Sequence, residues 1–143
     1  MPKVFLDTNF LVYQLDKRYP VKQRLSRETT RDLVRRGEAV ISTQVLQEFY
    51  VVATTRLNVD PVLAKGIMSR LGNMEVVTVT TDLINQAADI HVQSKVSFWD
   101  ALILAAAASA NCERLLSEDM NPGQTIFGVT VANPFGKGSA RPG

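Results

Sequence analysis

Short apolar runs that alternate with helix-forming segments are the feature that most constrains the fold of this chain. The predicted strands are rich in β-branched residues and lie at residues 3–6, 39–41, 76–79, 115–116 and 126–131. Helical patterns separate them, at about residues 21–36, 43–57, 61–71, 81–93 and 98–110. Strands that alternate with helices favour a parallel sheet covered on both faces. We therefore predict an α/β fold with three layers (α/β/α) and a central, mostly parallel sheet of about five strands.

The helix boundaries carry capping signals. Asp60 precedes Pro61, the order typical of an N-cap and a first helical position. Ser and Thr residues stand at three of the other predicted helix starts and can cap them through their hydroxyl groups. The candidates are Ser42 or Thr43, Thr80 or Thr81, and Ser97. The last helix is apolar nearly all round over residues 101–108, which predicts that it is buried.

Length and composition indicate one domain. The 143 residues fit a single unit, which we place at residues 1–133, and the Gly-, Pro- and Ser-rich residues 134–143 are expected to form a disordered tail. Cys112 is the only cysteine, so no intrachain disulfide can form and a reducing compartment is expected. The longest aliphatic run is far shorter than the ~20 residues of a membrane span. We expect a cytoplasmic protein with no membrane partner.

Positive charge is concentrated in the first predicted long helix. Eight of the sixteen Lys and Arg residues lie between Lys17 and Arg36, although the net charge is only +2. The pattern predicts that Val21, Leu25 and either Leu33 or Val34 face the core. A cluster of this kind suits a polyphosphate partner, and an ordinary solvated helix face is the alternative.

Four acidic residues occupy positions where a sheet of this kind binds ligands. Asp7 ends the first predicted strand and Asp119 ends the fourth, so both should lie at the carboxyl edge of the sheet. Glu48 and Asp100 lie on helices, and Asp100 begins the apolar helix. Each acid alone also has a structural explanation, such as an Asx-turn for Asp7, a cap for Asp119 or a favourable helix N-terminus for Asp100.

Together the four acids suggest a metal site. Converging carboxylates raise one another's pKa values unless a cation neutralises them. Oxygen ligands select Mg²⁺ or Mn²⁺. His91 is the only histidine, which excludes a zinc site built from several histidines. A divalent cation at the sheet edge is therefore expected.

Four segments of the chain resemble the motifs of PIN domains. They are residues 7–13 (DTNFLVY), 44–49 (QVLQEF), 98–103 (FWDALI) and 115–120 (LLSEDM). Their order matches that of the family, and the resemblance covers residues 3–133. The small size is similar to that of the VapC-type toxins of type II toxin–antitoxin modules.

The resemblance implies a PIN-like fold and an Mg²⁺- or Mn²⁺-dependent endoribonuclease. Its acidic quartet, both catalytic and metal-binding, would be Asp7, Glu48, Asp100 and Asp119. Thr8, Asn9 and Ser117 match supporting polar positions, and Glu118 is an alternative to Asp119. The expected partners are an RNA substrate, a VapB-like antitoxin and a second copy of the chain. The basic helix would hold RNA phosphates, with Arg31, Arg35 and Arg36 as candidates.

Two other interpretations remain. A phosphatase of the haloacid-dehalogenase type also places an Asp after its first strand, but it needs a second Asp where Asn9 stands, and Lys95 has no convincing context for its catalytic lysine. A non-catalytic PIN-like module that binds RNA or protein is the alternative of a different class. Such a module has no need for acids at all four positions.

Overall fold

A six-stranded sheet forms the centre of the molecule. The structure is a computed structural model and describes residues 2–136. The strands lie in the order β3-β2-β1-β4-β6-β5, and all neighbouring pairs are parallel except β5 and β6. The strands are β1 (Lys3–Leu6), β2 (Ala39–Ser42), β3 (Glu75–Val77), β4 (Cys112–Leu116), β5 (Thr125–Ile126) and β6 (Val129–Ala132). The predicted α/β fold with a mostly parallel sheet is confirmed.

Six helices accompany the sheet, together with a 3₁₀ turn at Tyr13–Leu15. The helices are α1 (Thr8–Val12), α2 (Pro20–Arg35), α3 (Thr43–Thr55), α4 (Pro61–Leu71), α5 (Thr81–Ser94) and α6 (Phe98–Ser109). The side chains of Ser42, Asp60, Thr80 and Ser97 accept hydrogen bonds from the first turns of α3, α4, α5 and α6. Ser42 and Thr80 are therefore the caps where the sequence left two choices.

The core lies between the central strands and α6. Residues 101–107 of α6 are all buried, as their apolar character predicted, and the helix packs against β2, β4 and β6. Cys112 is buried at the start of β4, and burial is the main cause that raises the pKa of its thiol to about 12. Within residues 2–136, no helix combines the length and apolar character needed to cross a membrane.

The segment at residues 126–131 is a hairpin rather than the single strand that was predicted, which gives six strands instead of five. Phe127 and Gly128 have φ values of 49° and 80° and connect β5 to β6. Positive φ at both central residues is typical of the tight turns that join two antiparallel strands. The β-branched residues on both sides concealed this turn in the sequence.

The buried face of α2 differs from the predicted one. Val21 is 57% exposed, so its expected place in the core is wrong, and Leu25 is half-buried. Of the two alternatives at the end of the helix, Leu33 is buried, as one of them predicted, and Val34 is 48% exposed. The helix instead buries a largely polar row, which consists of Lys22, Ser26, Thr30 and Leu33. Each polar member has a partner: Lys22 pairs with Glu118, Ser26 donates to the Phe10 carbonyl, and Thr30 accepts from Gln14. Satisfied polar groups can be buried at little cost, and apolar periodicity does not reveal them.

After β6, the chain packs an aromatic side chain against two aromatic residues that follow β1. The ring of Phe135 lies 5.9 Å from that of Phe10 and 5.2 Å from that of Tyr13. Residues 137–143, most of the tail that we expected to be disordered, lie outside the described part of the chain.

Candidate functional site

Asp7 lies at the carboxyl edge of β1 and caps α1. Its Oδ1 accepts a hydrogen bond of 2.7 Å from the backbone N–H of Thr8, and its Oδ2 accepts one of 2.8 Å from Ser117 Oγ. The sequence suggested a turn at this point, and the structure shows that the same Asp begins a short helix. The carboxylate is thereby held in one orientation by two donors from different segments.

Asp119 lies in the turn after β4, beside Asp7. Ser117 Oγ accepts from the backbone N–H groups of Asp119 and Met120 at 3.3 and 3.4 Å, which shapes the turn. Asn9 Nδ2 donates to Asp119 Oδ2 at 2.5 Å. Ser117 and Asn9, two of the supporting positions that the motifs suggested, therefore connect the two strand-end acids.

Glu48 reaches the same place from α3. Thr8 Oγ1 donates to Glu48 Oε1 at 2.6 Å, and Gln44 Nε2 lies 3.4 Å from Glu48 Oε2. Gln44 is one helical turn before Glu48, so both side chains project from the same face of α3. The Nε2 group of Gln44 also donates to the carbonyl of Trp99 at 3.3 Å, which joins α3 to the start of α6.

Asp100 lies in the first turn of α6, where its backbone N–H donates to Ser97 Oγ at 3.1 Å. Trp99 precedes it and is 62% exposed. Phe98 is half-buried and packs edge-to-face with Trp99 at 5.3 Å between ring centroids. Trp99 thus forms part of the wall beside Asp100 rather than part of the core.

All four acids line one cleft of about 390 Å³. Thr8, Asn9 and Gln44 line it as well, and Val51, Val52, Trp99 and Ile103 form apolar wall. No lysine or arginine is among the lining residues in the described part of the chain. Four predicted carboxylates from four separate elements therefore meet at one site, without a cation in its lining.

The electrostatics of the cleft follow from burial and from the like charges. Removal from water is the main cause that raises the pKa of Asp7 from 3.8 to about 6, and the nearby charges of Asp100 and Glu48 raise it further. Hydrogen bonds from Ser117 and Thr8 act in the opposite direction. The pKa of Asp100 is also raised, mainly by burial and in addition by Glu48. A bound cation would reverse these effects.

The donor set of the cleft fits a hard divalent cation, because it consists of carboxylate and amide oxygens. As the side chains stand, no three His, Cys, Asp or Glu residues within 2–136 are arranged to hold a metal ion. Gln44 lines the cleft, and its buried Oε1 has no hydrogen-bond partner within residues 2–136. Its amide orientation is defined, since Nε2 faces two acceptors. The described residues therefore leave this buried oxygen without a donor.

Glu118 lies apart from the acid cleft. Its side chain is 6% exposed, pairs with Lys22 and accepts a hydrogen bond of 2.6 Å from the Tyr13 hydroxyl. The adjacent Asp119 faces the cleft instead. Of the two alternatives at the fourth motif, the geometry favours Asp119.

The candidate RNA-binding arginines lie far from these acids. Because β1 and β2 are parallel, α2 must return the chain to the amino edge of the sheet, and its 16 residues span about 24 Å. Arg31, Arg35 and Arg36 lie at its far end, opposite to Asp7. Arg35 and Arg36 pair with Asp32 at 3.1 and 3.0 Å.

Two residues near the acids were not recognised as site residues in the sequence. Gln44 could have been found from its spacing of four residues before Glu48 on a helix. Arg56 follows α3, and its Nη2 donates to Asn9 Oδ1 at 3.3 Å. No sequence signal points to Arg56, because 47 residues separate it from its partner.

The fold is similar to that of solved toxin proteins. A toxin–antitoxin complex from Klebsiella pneumoniae matches with a TM-score of 0.70 at 20% identity, over 92% of this chain and 98% of that one. VapC20 of Mycobacterium tuberculosis, a toxin that cleaves the sarcin–ricin loop, matches with 0.61 at 21% identity, over 82% and 90%. VapBC2 from Rickettsia felis, bound to DNA from its promoter, matches with 0.66 at 17% identity, over 91% and 97%.

Comparison of the sequence with protein families is more specific than the structural similarity. No curated protein matches the chain. The PIN domain family matches residues 4–124, which include all four acids and every supporting residue described above. This chain therefore belongs to the PIN-domain family.

Proposed function

We propose that this PIN-domain protein is a metal-dependent endoribonuclease, and that it is the VapC-like toxin of a type II toxin–antitoxin module. The observation that carries the proposal is the meeting of Asp7, Glu48, Asp100 and Asp119 in one cleft whose described lining has no cation. Such an arrangement is costly in itself, since like charges repel in a partly dehydrated site. Binding of a divalent ion offsets that cost and makes the site useful for phosphodiester chemistry.

The roles of the side chains follow from their contacts. When bound, Mg²⁺ or Mn²⁺ would lower the pKa of an attacking water and neutralise charge on the phosphate. Asp7 and Asp119 are oriented by Ser117 and Asn9 and would hold the ion. Asp100 or Glu48 would orient the water and accept its proton. The water oxygen bonds to phosphorus, the P–O bond to the leaving nucleotide breaks, and the leaving oxygen takes up a proton.

A VapB-like antitoxin is the proposed inhibitor. The similar structures include toxin–antitoxin complexes, which support such a partner for this chain. A metal-free acidic cleft would accept an arginine from an antitoxin, because guanidinium pairs bidentately with carboxylate. A homodimer and a cytoplasmic location remain predictions.

The nuclease activity is tested with purified protein and a mixture of cellular RNAs. We expect cleavage with Mg²⁺ or Mn²⁺, none with EDTA, and recovery when the metal is added back. Glu48→Gln should abolish cleavage, whereas Glu28→Gln removes the same charge from an exposed position on α2 and should leave it intact. RNA binding without metal-dependent cleavage would instead favour a non-catalytic binding module.

The toxin role is tested separately. The reading frame beside this gene should encode a small protein that co-purifies with the chain and relieves growth arrest caused by its expression. Absence of both toxicity and a co-purifying neighbour would contradict the toxin role and leave the nuclease proposal standing. Sequencing of the cleaved RNA ends would then identify the target.

A further inference from the structure

Three cavities that share lining residues follow one another along the surface, beginning at the acid cleft. A cavity of about 280 Å³ adjoins the cleft and shares Asn9 and Asp119 with it. A third cavity, of about 590 Å³, shares Asp16, Arg18 and Arg56 with the second. A ligand strand that enters the acid cleft therefore has a direct path along the surface to the third cavity.

The sign of the charge reverses along this path. The cleft is lined by four carboxylates, whereas the third cavity is lined by four cations and two carboxylates. The cations are Lys17, Arg18, Arg27 and Arg56. Both carboxylates are already engaged: Asp16 binds Arg18, and Asp60 caps α4. We call this third cavity with its four cations the basic groove.

Arg56 stands where the acids and the basic groove meet. Its guanidinium donates to Asn9 Oδ1 at 3.3 Å, and the Nδ2 group of the same Asn9 donates to Asp119 at 2.5 Å. Within residues 2–136 its side chain has no other hydrogen bond, and the residue is exposed. Its charge also interacts with the Asp16 carboxylate, whose pKa Arg18 mainly lowers and Arg56 helps to lower. A guanidinium carries five N–H donors, so most of them remain available to an anion.

The other arginines of the basic groove are held in defined positions. Arg18 forms two hydrogen bonds with the Asp16 carboxylate, at 3.0 and 2.9 Å, and lies over the ring of Tyr19. Arg27 Nε donates to the carbonyl of Gln14 at 2.9 Å. Because fixed side chains lose less entropy on binding, they are suited to contact a ligand.

We propose that the basic groove binds the RNA backbone on one side of the scissile phosphate, with Arg56 on the phosphate nearest to the acids and Lys17 and Arg27 on those farther along. The inference rests on the proposed ribonuclease function and names the path of its substrate. A polyanion is repelled by the acid cleft itself, so attraction must come from an adjoining surface. The basic groove is such a surface, and shared lining residues connect it to the cleft through the second cavity. Arg31, Arg35 and Arg36, at the far end of α2, do not adjoin the cleft.

The test is the salt dependence of RNA binding without catalysis. A fluorescein-labelled single-stranded RNA of twenty nucleotides is titrated with the full chain in EDTA, between 50 and 200 mM KCl. Each phosphate contact to a single strand contributes about 0.7 to the slope of log Kd against log salt. Arg56→Gln should reduce the slope by about that amount, and Arg56→Lys should retain it because the charge remains.

Arg24→Gln is the matched control. Arg24 is exposed on α2 but lines none of the three cavities, so its loss removes the same charge outside the path. We expect less than half the slope change of Arg56→Gln. Equal changes for the two variants would overturn the basic groove, because only net charge would then matter. An unchanged slope for Arg56→Gln, with loss of antitoxin binding, would also overturn it and assign the surface to the protein partner.

The two proposals fail in distinguishable ways. In one outcome the wild type binds RNA, Arg56→Gln lowers the slope of log Kd against log salt as expected, and the wild type does not cleave RNA with metal. The basic groove then stands and the ribonuclease proposal fails. If metal-dependent cleavage is present but Arg56→Gln, Lys17→Gln and Arg27→Gln all keep the wild-type slope, the ribonuclease stands and the basic groove is refuted.

Discussion

Glu118 and Asp119 are adjacent in the chain, yet they meet opposite surroundings. Glu118 is buried beside Lys22, whose Nζ also lies 5.1 and 5.2 Å from the rings of Tyr13 and Phe135. Asp119 faces the cleft, where the other charged lining residues are carboxylates. In the first region the chain supplies its own cation. In the second region four carboxylates line one cleft, and no lysine or arginine of residues 2–136 lines it with them. A bound cation or a positively charged partner would offset this negative charge.

The two regions illustrate two uses of buried charge: an ion pair that stabilises the fold, and a group of carboxylates that serves a functional site. A buried ion pair that is fully satisfied helps to define one conformation, here the turn after β4. Carboxylates gathered without a counter-ion lower stability, and proteins retain such arrangements mainly at functional sites. Removal of charge should therefore have opposite effects in the two regions. The predictions below test this contrast.

The largest effect on stability is expected at the buried pair. Lys22→Met keeps much of the side-chain stem but leaves Glu118 buried without its cation, which should lower the free energy of unfolding by about 3–5 kcal/mol. Urea denaturation measures the change. Lys65→Met, at an exposed position on α4, should change stability by no more than about 0.5 kcal/mol. A loss below about 1 kcal/mol in Lys22→Met would show that the pair does not organise the turn.

The next effect is stabilisation by metal. At a free Mn²⁺ concentration 100 times its Kd, the wild type should gain about 2.7 kcal/mol, because the ion binds the folded state alone. Asp119→Asn should bind Mn²⁺ more weakly and gain less at the same concentration. Asp82→Asn, exposed in the first turn of α5, is the control and should gain as much as the wild type. Thermal melts with and without Mn²⁺ measure this stabilisation. Equal stabilisation of all three proteins by Mn²⁺ would show that the ion binds elsewhere.

The smallest effect concerns Asp100 and pH. Because its folded pKa is raised, the native state keeps a proton that the unfolded state has lost, so stability falls as pH rises through the folded pKa. In the metal-free protein Asp100→Asn should make that fall smaller, because the contribution of Asp100 is lost while that of Asp7 remains. Asp89→Asn, exposed on α5, should keep it. Melts at a series of pH values measure the change, and parallel profiles for all three proteins would contradict the proposed repulsion in the cleft.

Local patterns predicted the fold and the position of the acids well. The capping residues, the all-apolar α6 and the acids at the ends of β1 and β4 depend on neighbours a few residues away. Parallel strands align their carboxyl ends, so the convergence of Asp7 and Asp119 follows from topology. Glu48 and Asp100 were candidates from their places on predicted helices, the family motifs also included them, and both line the cleft.

Long-range polar contacts were the part that the sequence could not predict. Lys22 was counted among the exposed charges of α2, but its partner Glu118 is 96 residues away. The path of the basic groove depends in the same way on Arg56, which approaches the acids only in the folded chain. Charge clustering in the sequence pointed to Arg31, Arg35 and Arg36 at the far end of α2. Clustering records how many cations lie near one another and not which edge of the sheet they face, and a role of these three residues in RNA binding stays a prediction.

The central claim is that the acid cleft is a metal-binding catalytic site, and Asp7→Asn tests it most directly. Asparagine nearly preserves the shape of Asp7 and can still accept from the Thr8 N–H, while it removes a charge whose pKa is raised to about 6. One series of melts between pH 4 and 8, with and without Mn²⁺, is combined with an RNA cleavage assay on the same samples.

We predict that Asp7→Asn abolishes cleavage and loses most of the stabilisation by Mn²⁺. In the metal-free protein, the wild type should lose stability relative to the variant as pH rises from about 4 to about 6, because Asp7 ionises in the unfolded state first. Above that range the variant should be more stable by about 1–3 kcal/mol, since one pKa unit corresponds to about 1.4 kcal/mol. A variant that still cleaves RNA, responds to Mn²⁺ like the wild type and shows the same pH profile would contradict the account.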